Sequence, residues 1–316
     1  MTNSEIEPIC RVKAASVHFS PSAPVFVAAY ESANAKLFDS ETGEELFRFT
    51  GARQICGVVF LPDQERVVLA EQYHSVGIYS LSNGKRIGKK WTTRKKGDEL
   101  DAFLHAIESQ QIIHAGGHGA LSVLDYDCQL VRHVRISEHK PQNTLISRAA
   151  LSPDESRLAV GWATCYPLEI KNCLTVFEWP LMKLLCNLDH FMQRPDAPHL
   201  LRQLEFLNNT ELIVAEDEAA NVFDTLTGDE LPAFPDLKSA HTFYVHVRSA
   251  SDIEFVTNVD GKLVFRDATT SQVRREIDIG CDWIVSSISL DERRIALMSR
   301  TGNNVCDFAE LKASID

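Results

Sequence analysis

The chain of 316 residues has no apolar run long enough to cross a bilayer, and its opening residues, MTNSEIEP, carry neither the basic nor the apolar segment of a secretory leader. A cytoplasmic protein is predicted. There is no CxxC spacing either. The eight cysteines (Cys10, Cys56, Cys128, Cys165, Cys173, Cys186, Cys281 and Cys306) are scattered one per element, as expected for reduced thiols serving mostly as small core residues. Only Cys165 and Cys173, which flank one insertion, stand where a hairpin would bring two thiols together. Also missing are a nucleophile elbow, a Ser-His-Asp order and a phosphate loop. Helical periodicity is nearly absent. A formal charge of −12 argues against general coating of nucleic acid. Hydrophobic residues make up 44% of the chain, enough for a large core and too many for disorder.

What the chain does have is a segment written twice, LFDSETGEEL at 37–46 and VFDTLTGDEL at 222–231. In each copy a strand ends in Asp39 or Asp224 and a turn follows with Thr42-Gly43 or Thr227-Gly228. Glycine suits a turn position at positive φ, and the Asp carboxylate can accept the turn's N–H groups. Weaker versions recur at 78–87, 123–131 and 264–273. A second marker, a short polar turn before an apolar run, appears at Pro21, Pro62, Ser109, Pro153, Asn209, Ala250 and Asp291, spaced 41, 47, 44, 56, 41 and 41 residues apart.

That spacing is the period of a four-stranded blade, and seven markers give seven units. The prediction is an all-β chain, a single seven-bladed β-propeller domain over 1–316 of four-stranded antiparallel blades, with strands a to d from the inside outwards. Blades fall at about 15–51, 52–91, 97–136, 145–189, 200–235, 240–280 and 281–316. Strand b is almost wholly apolar in every unit, as required of a strand buried on both faces. The last unit lacks a convincing fourth strand, whereas 7–14 (EPICRVKA) is a strand without a unit. Pairing Ile9, Arg11 and Lys13 onto the last strand c closes the ring and removes a free sheet edge.

Over residues 7 to 308 these features resemble the WD-repeat β-propellers. The resemblance rests on the turn Ser152-Pro153-Asp154 before RLAVGWA, the turn Leu290-Asp291-Glu292 before RIALMSR, and the strand endings Phe38-Asp39, Phe223-Asp224 and Arg266-Asp267. No unit ends strand c with Trp-Asp, and the Gly-His pair before strand a is missing throughout. The hydrogen-bond network of that family is therefore carried over to no residue. The resemblance implies a protein-binding platform.

In such blades the d-to-a and b-to-c connections share one face and the a-to-b and c-to-d turns the other. The long insertions, 92–99, 137–146, 164–172 and 189–200, all belong to the first face, where partners are expected to bind. The predicted partner-binding residues are Trp91, Arg94, Lys95, Lys96, His139, Lys140, Tyr166, Phe191, Met192 and Arg194, which combine a basic run at 85–96 with aromatic anchors. The turn face, represented by Asp63, Glu65 and Asp154, is expected to offer little concave or apolar surface. His114 and His118 flank a hairpin, but no cysteine or carboxylate completes a ligand set, so no metal is predicted.

The chain is expected to be a non-catalytic interaction scaffold. As a monomeric ring within a hetero-complex it would bind one or more proteins, with an acidic contact surface among them, and need no cofactor, membrane or nucleic acid. Two alternatives remain. One is a propeller lactonase or hydrolase using carboxylates at the strand-b ends (Glu71, Glu216, Asp217, Glu218), and the other a nucleic-acid adaptor using the basic edge.

Overall fold

The computed structural model describes residues 8–71, 75–92, 100–116, 119–136, 144–164, 173–188, 203–215, 220–231, 243–249, 252–267, 270, 272–279, 284–289, 291–299 and 302–308. Their regular structure is strand, arranged as seven four-stranded antiparallel sheets. The first sheet is Ser16–Phe19, Val25–Ala29, Asn34–Asp39 and Glu45–Arg53; the second is Ile55–Phe60, Arg66–Glu71, Ser75–Ser80 and Arg86–Thr92. The third is Leu100–Ala106, Gln111–Gly116, Ala120–Asp125 and Leu130–Arg135; the fourth is Thr144–Leu151, Arg157–Thr164, Cys173–Glu178 and Lys183–Asn187. The fifth is Gln203–Phe206, Glu211–Ala215, Ala220–Asp224 and Glu230–Leu231; the sixth is Phe243–Ser249, Asp252–Val259, Lys262–Asp267 and Val273–Asp278. In each of these the four strands, a to d, are paired in chain order.

The chain divides into two compact units, residues 1–90 with 254–316, and residues 91–253. In the first unit strand b of the first sheet shows why the blades stack. Val27 and Ala29 enter a core with Phe60, Val67, Leu69 and Tyr79 of the second sheet. Phe26 and Ala28, one residue out of phase, enter a core with Ala296 and Val305 of the seventh. Alternate side chains of a strand point to opposite faces, so a strand apolar at every position is buried on both. The second unit repeats this: Leu158, Val160 and Trp162 pack with the third sheet, and Ala159 with Leu212, Val214 and Phe223 of the fifth.

The seventh sheet is Ile284–Ile288, Arg294–Ser299 and Gly302–Asp307, completed by Cys10–Val12 from the start of the chain. Cys10 pairs with Val305, Arg11 with Asn304 and Val12 with Asn303. Buried Asn303 donates its side-chain N–H to the Ala14 carbonyl at 2.8 Å. Gly302, at φ +136°, has room for no side chain, because a Cβ would stand 2.6 Å from the Val12 carbonyl oxygen. The expected pairing of the chain start with the last strand c is therefore present and fitted at atomic level.

The duplicated turn also takes the expected form. Asp39 accepts the N–H groups of Glu41 and Thr42, both at 2.8 Å, and Asp224 those of Leu226 and Thr227 at 2.6 and 3.3 Å. Gly43 and Gly228, at φ +74° and +79°, donate to the carbonyls of Asp39 and Asp224. Gly84 does the same to Ser80 in the second sheet. In the fourth sheet the corresponding position is Met182 at φ +57°, which no sequence signal marks. The surroundings of the two copies differ. A Cβ on Gly43 would meet Cys10 Cβ at 2.7 Å and the Ile9 carbonyl at 2.9 Å, whereas at Gly228 the nearest atom is 3.5 Å away.

Gly228→Ala should therefore cost about 1–2 kcal/mol from φ alone, and Gly43→Ala distinctly more, because it also pushes on the closing strand. Gly302→Ala and removal of residues 1–14 should lower the melting temperature further. Thermal denaturation of the four variants checks this; equal losses at Gly43 and Gly228, or no loss on truncation, would contradict the packing described.

Candidate interaction surfaces

One backbone bond recurs in five sheets and orients all their turns. The N–H after the end of strand c donates to a carbonyl in the a-to-b turn: Ser40 to Pro24 at 2.9 Å, and Leu81 to Glu65, Trp179 to Ser156, Thr225 to Thr210 and Phe308 to Arg293, each at 2.8 Å. The a-to-b and c-to-d turns thus share one end of their sheet, as expected. That end was expected to be featureless, and the structure overturns this. Every large apolar side chain that stands exposed among the described residues is there: Leu46, Ile87 and Val273 in the first unit, and Ile107, Leu130, Val131, Leu181, Leu184 and Leu226 in the second. Each lies in a turn or in the first two residues of a strand d, a position tight enough for the backbone yet beyond the cover of the neighbouring sheet. Leu181, 73% exposed at the tip of a turn, is the extreme case.

The same end of the first unit holds a cleft of about 290 Å³ between the turns of the first and seventh sheets. One wall is Phe19, Pro21 and Pro24; the other is Ser289, Asp291 and Arg293, with Ser40 and Glu41 beside it. Arg294 braces the cleft by donating to the Ser40 carbonyl at 2.7 Å and to Asp307 at 2.8 Å. Ser289 donates to Asp291 at 2.7 Å and accepts the Arg294 N–H at 2.9 Å. Burial raises the Asp291 carboxyl, but the hydrogen bonds it accepts from Ser289 and the Arg293 N–H, with the charges of Arg293 and Arg294, outweigh it and hold the group below its ordinary value. The cleft therefore presents both charges around an apolar wall. Its volume sits at the bottom of the range for small-molecule sites, roughly 300–1,000 Å³, and suits a protruding side chain.

Deeper in the first unit a charged network replaces apolar packing. Glu254, 1% exposed, receives Arg275 at 2.8 Å and Arg274 at 3.4 Å. Arg275 also reaches Glu292 at 3.0 Å and lies over the rings of Phe265 and Phe308, at 4.2 and 5.0 Å. A planar guanidinium can do all of this at once, which a lysine cannot.

Of the predicted partner-binding residues, Trp91 is described. It lies half-buried on strand d of the second sheet, its ring edge-on to that of His114 at 5.5 Å. Arg94, Lys95, Lys96, His139, Lys140, Tyr166, Phe191, Met192 and Arg194 fall outside the described residues, as do His118, Cys165, Glu216, Asp217 and Glu218. Lys85, Arg86 and Lys89, earlier in the same basic run, are exposed and make no ion pair among the described residues. Glu71, proposed as a pore-mouth carboxylate, is committed elsewhere, to Lys90 on strand d and to Ser75 across its hairpin. Lys90 also donates to the Gly51 carbonyl at 2.8 Å. Of the cysteines whose burial is described, Cys128 and Cys306 are buried, Cys10 and Cys186 half-buried, and Cys56 exposed. Burial pushes the Cys10 and Cys186 thiols up to about 11.

One ionisable residue had no sequence signal beyond an acidic side chain inside an apolar strand. Glu205, in the middle of QLEF, reaches solvent from a crowded position, and burial pushes its carboxyl up to about 7 from the ordinary 4.5. Below the lower value both folded and unfolded chains hold the proton. Between the two values unfolding releases it, so stability falls as pH rises, and above about 7 the loss is complete. Glu205→Gln should consequently raise the melting temperature at pH values above that range and leave it unchanged well below it. A pH series of melting curves tests this; a gain of equal size in acid would show that the ionised carboxylate is not its source.

Among known proteins, no family profile matches the chain and neither does any curated protein. Similarity lies in the fold: 1651 solved chains resemble it, a breadth that identifies an architecture and no single activity. One is the hydrazine synthase of Kuenenia stuttgartiensis, at 12% identity and a TM-score of 0.65, covering 95% of this chain and 98% of that one. Sheets and neighbour agree on the architecture, a seven-bladed β-propeller of four-stranded antiparallel blades.

Proposed function

We propose that this chain is a non-catalytic interaction platform, a WD-repeat-like propeller that holds protein partners as a subunit of a multiprotein assembly. The observation that carries the reading is the set of large apolar side chains exposed at the turn-bearing ends of the sheets, which among the described residues includes every one that stands exposed. Scattered singly they would need no explanation; recurring at the turns of neighbouring sheets within a unit they favour a surface that another protein covers. The mechanism is recognition by preorganisation: turns braced by hydrogen bonds and carried on packed sheets lose little freedom when a partner arrives. The exposed Lys85, Arg86 and Lys89, which make no ion pair among the described residues, favour a second contact, with an acidic partner surface, along the basic run that continues in sequence into Arg94, Lys95 and Lys96.

Affinity capture from the native host, followed by mass spectrometry, tests both contacts. Leu181→Ser with Leu226→Ser should remove partners held at the turn ends. Reversing charge at Lys85, Arg86 and Lys89, or at Arg94, Lys95 and Lys96, should weaken capture chiefly in its association rate and salt dependence. If every folded variant retains all partners, or the purified protein shows turnover, the platform reading fails.

A further inference from the structure

In the unit 91–253 the turn ends of three consecutive sheets are tied edge to edge. Glu155 of the fourth sheet accepts the N–H groups of Glu108 and Ser109 in the third, at 2.7 and 3.1 Å. Arg132 of the third sheet donates to the Pro180 carbonyl at 2.9 Å and lies over the Trp179 ring at 4.5 Å, beside the turn that presents Leu181. Asn209 of the fifth sheet accepts the Asp154 N–H at 3.1 Å, and its carbonyl accepts from Arg157. Along this joined edge Ile107, Leu130, Val131, Leu181, Leu184 and Leu226 stand 40% exposed or more.

The exposed charge around them is mainly negative. Glu108, Asp127, Asp154, Asp229 and Glu230 are exposed at the same turns, and the one exposed cation there among the described residues is Lys183. Arg132 and Arg157 are half-buried and drawn onto backbone carbonyls. Glu108, Asp229 and Glu230 make no ion pair among the described residues, so their charge is available to a visitor.

We propose that this edge docks a cationic amphipathic segment of a partner protein, with large apolar side chains on one side and Lys or Arg on the other. The inference rests on the platform reading and adds the chemistry of the partner. Apolar side chains of such a segment would cover the exposed leucines while its cations met the surrounding carboxylates, so that shape burial and charge act together. The same carboxylates repel an acidic peptide or an anionic lipid surface, and that repulsion makes the site selective.

The test uses the full chain and a fluorescent synthetic helix of leucine and lysine at amphipathic spacing, with a leucine and glutamate helix of the same pattern as its counterpart. The lysine helix should bind, more weakly as salt rises, and the glutamate helix should not. Leu130→Ser with Leu181→Ser and Leu226→Ser, or Asp229→Lys with Glu230→Lys, should each weaken binding about tenfold or more. Glu31→Lys with Asp278→Lys, an equal charge change away from these turns, should not, and melting curves identify variants that fold. Equal binding of both helices, an equal effect of the control pair, or binding of anionic vesicles at this edge would overturn the proposal. If the leucine variants lose native partners while the carboxylate reversals leave helix binding intact, the platform reading survives and the cationic partner does not.

Discussion

The structure depends on one constraint: a four-stranded sheet of short strands cannot bury both of its own faces. Within each unit neighbouring sheets lie face to face, and strand b bears the requirement most fully. Phe26, Val27, Ala28 and Ala29 are all fully buried, the even positions against one neighbour and the odd against another. Large side chains such as Phe26 and Val27 are each worth roughly 1.5–3 kcal/mol when taken from water, so the stack is held by many such contacts. Turns, clefts and outer strands then occupy the margins that this packing leaves free.

Some of the polar groups in the packed layers hold specific partners. Arg275 lies over the adjacent rings of Phe265 and Phe308 and grips two carboxylates, and Asn303 ties the closing strand to the seventh sheet. Breaking one partner of such a network strands a buried charge, which is far more damaging than never having built it. At the turn ends the same economy of backbone bonds has the opposite result. Ser152 with Asp154 and Ser289 with Asp291 satisfy their turns locally, each serine donating to its aspartate at 2.7 Å. The side chains at the tips are therefore left with nothing to do but meet solvent or a partner.

Much of the fold was legible because its signals are local. An apolar run buried on both faces, an Asp that caps its own turn and a glycine at positive φ each declare themselves within a few residues, and the period of the turns counts the blades. The seventh blade was legible by subtraction, since one unit lacked a strand and one strand lacked a unit. The surface is less legible in the sequence. Composition points to long basic and aromatic loops, and of their anchors Trp91 is described, half-buried with its ring edge-on to that of His114. Leu130, Leu181 and Leu226 read as ordinary apolar residues, because nothing in their local pattern tells whether a neighbouring sheet extends far enough to cover them.

By itself, then, the sequence determined strand count, blade period, turn chemistry and the origin of the last strand, all of which follow from backbone geometry and side-chain alternation over short distances. Tertiary structure alone decided that Glu71 turns to Lys90, that the crowding around Glu205 raises its carboxyl, that Gly43 and Gly228 differ in their surroundings, and that exposed apolar side chains stand among carboxylates at the turn ends. The reason is physical: ionisation, steric room and exposure are set by atoms distant in sequence, and those distances exist only once the sheets have packed.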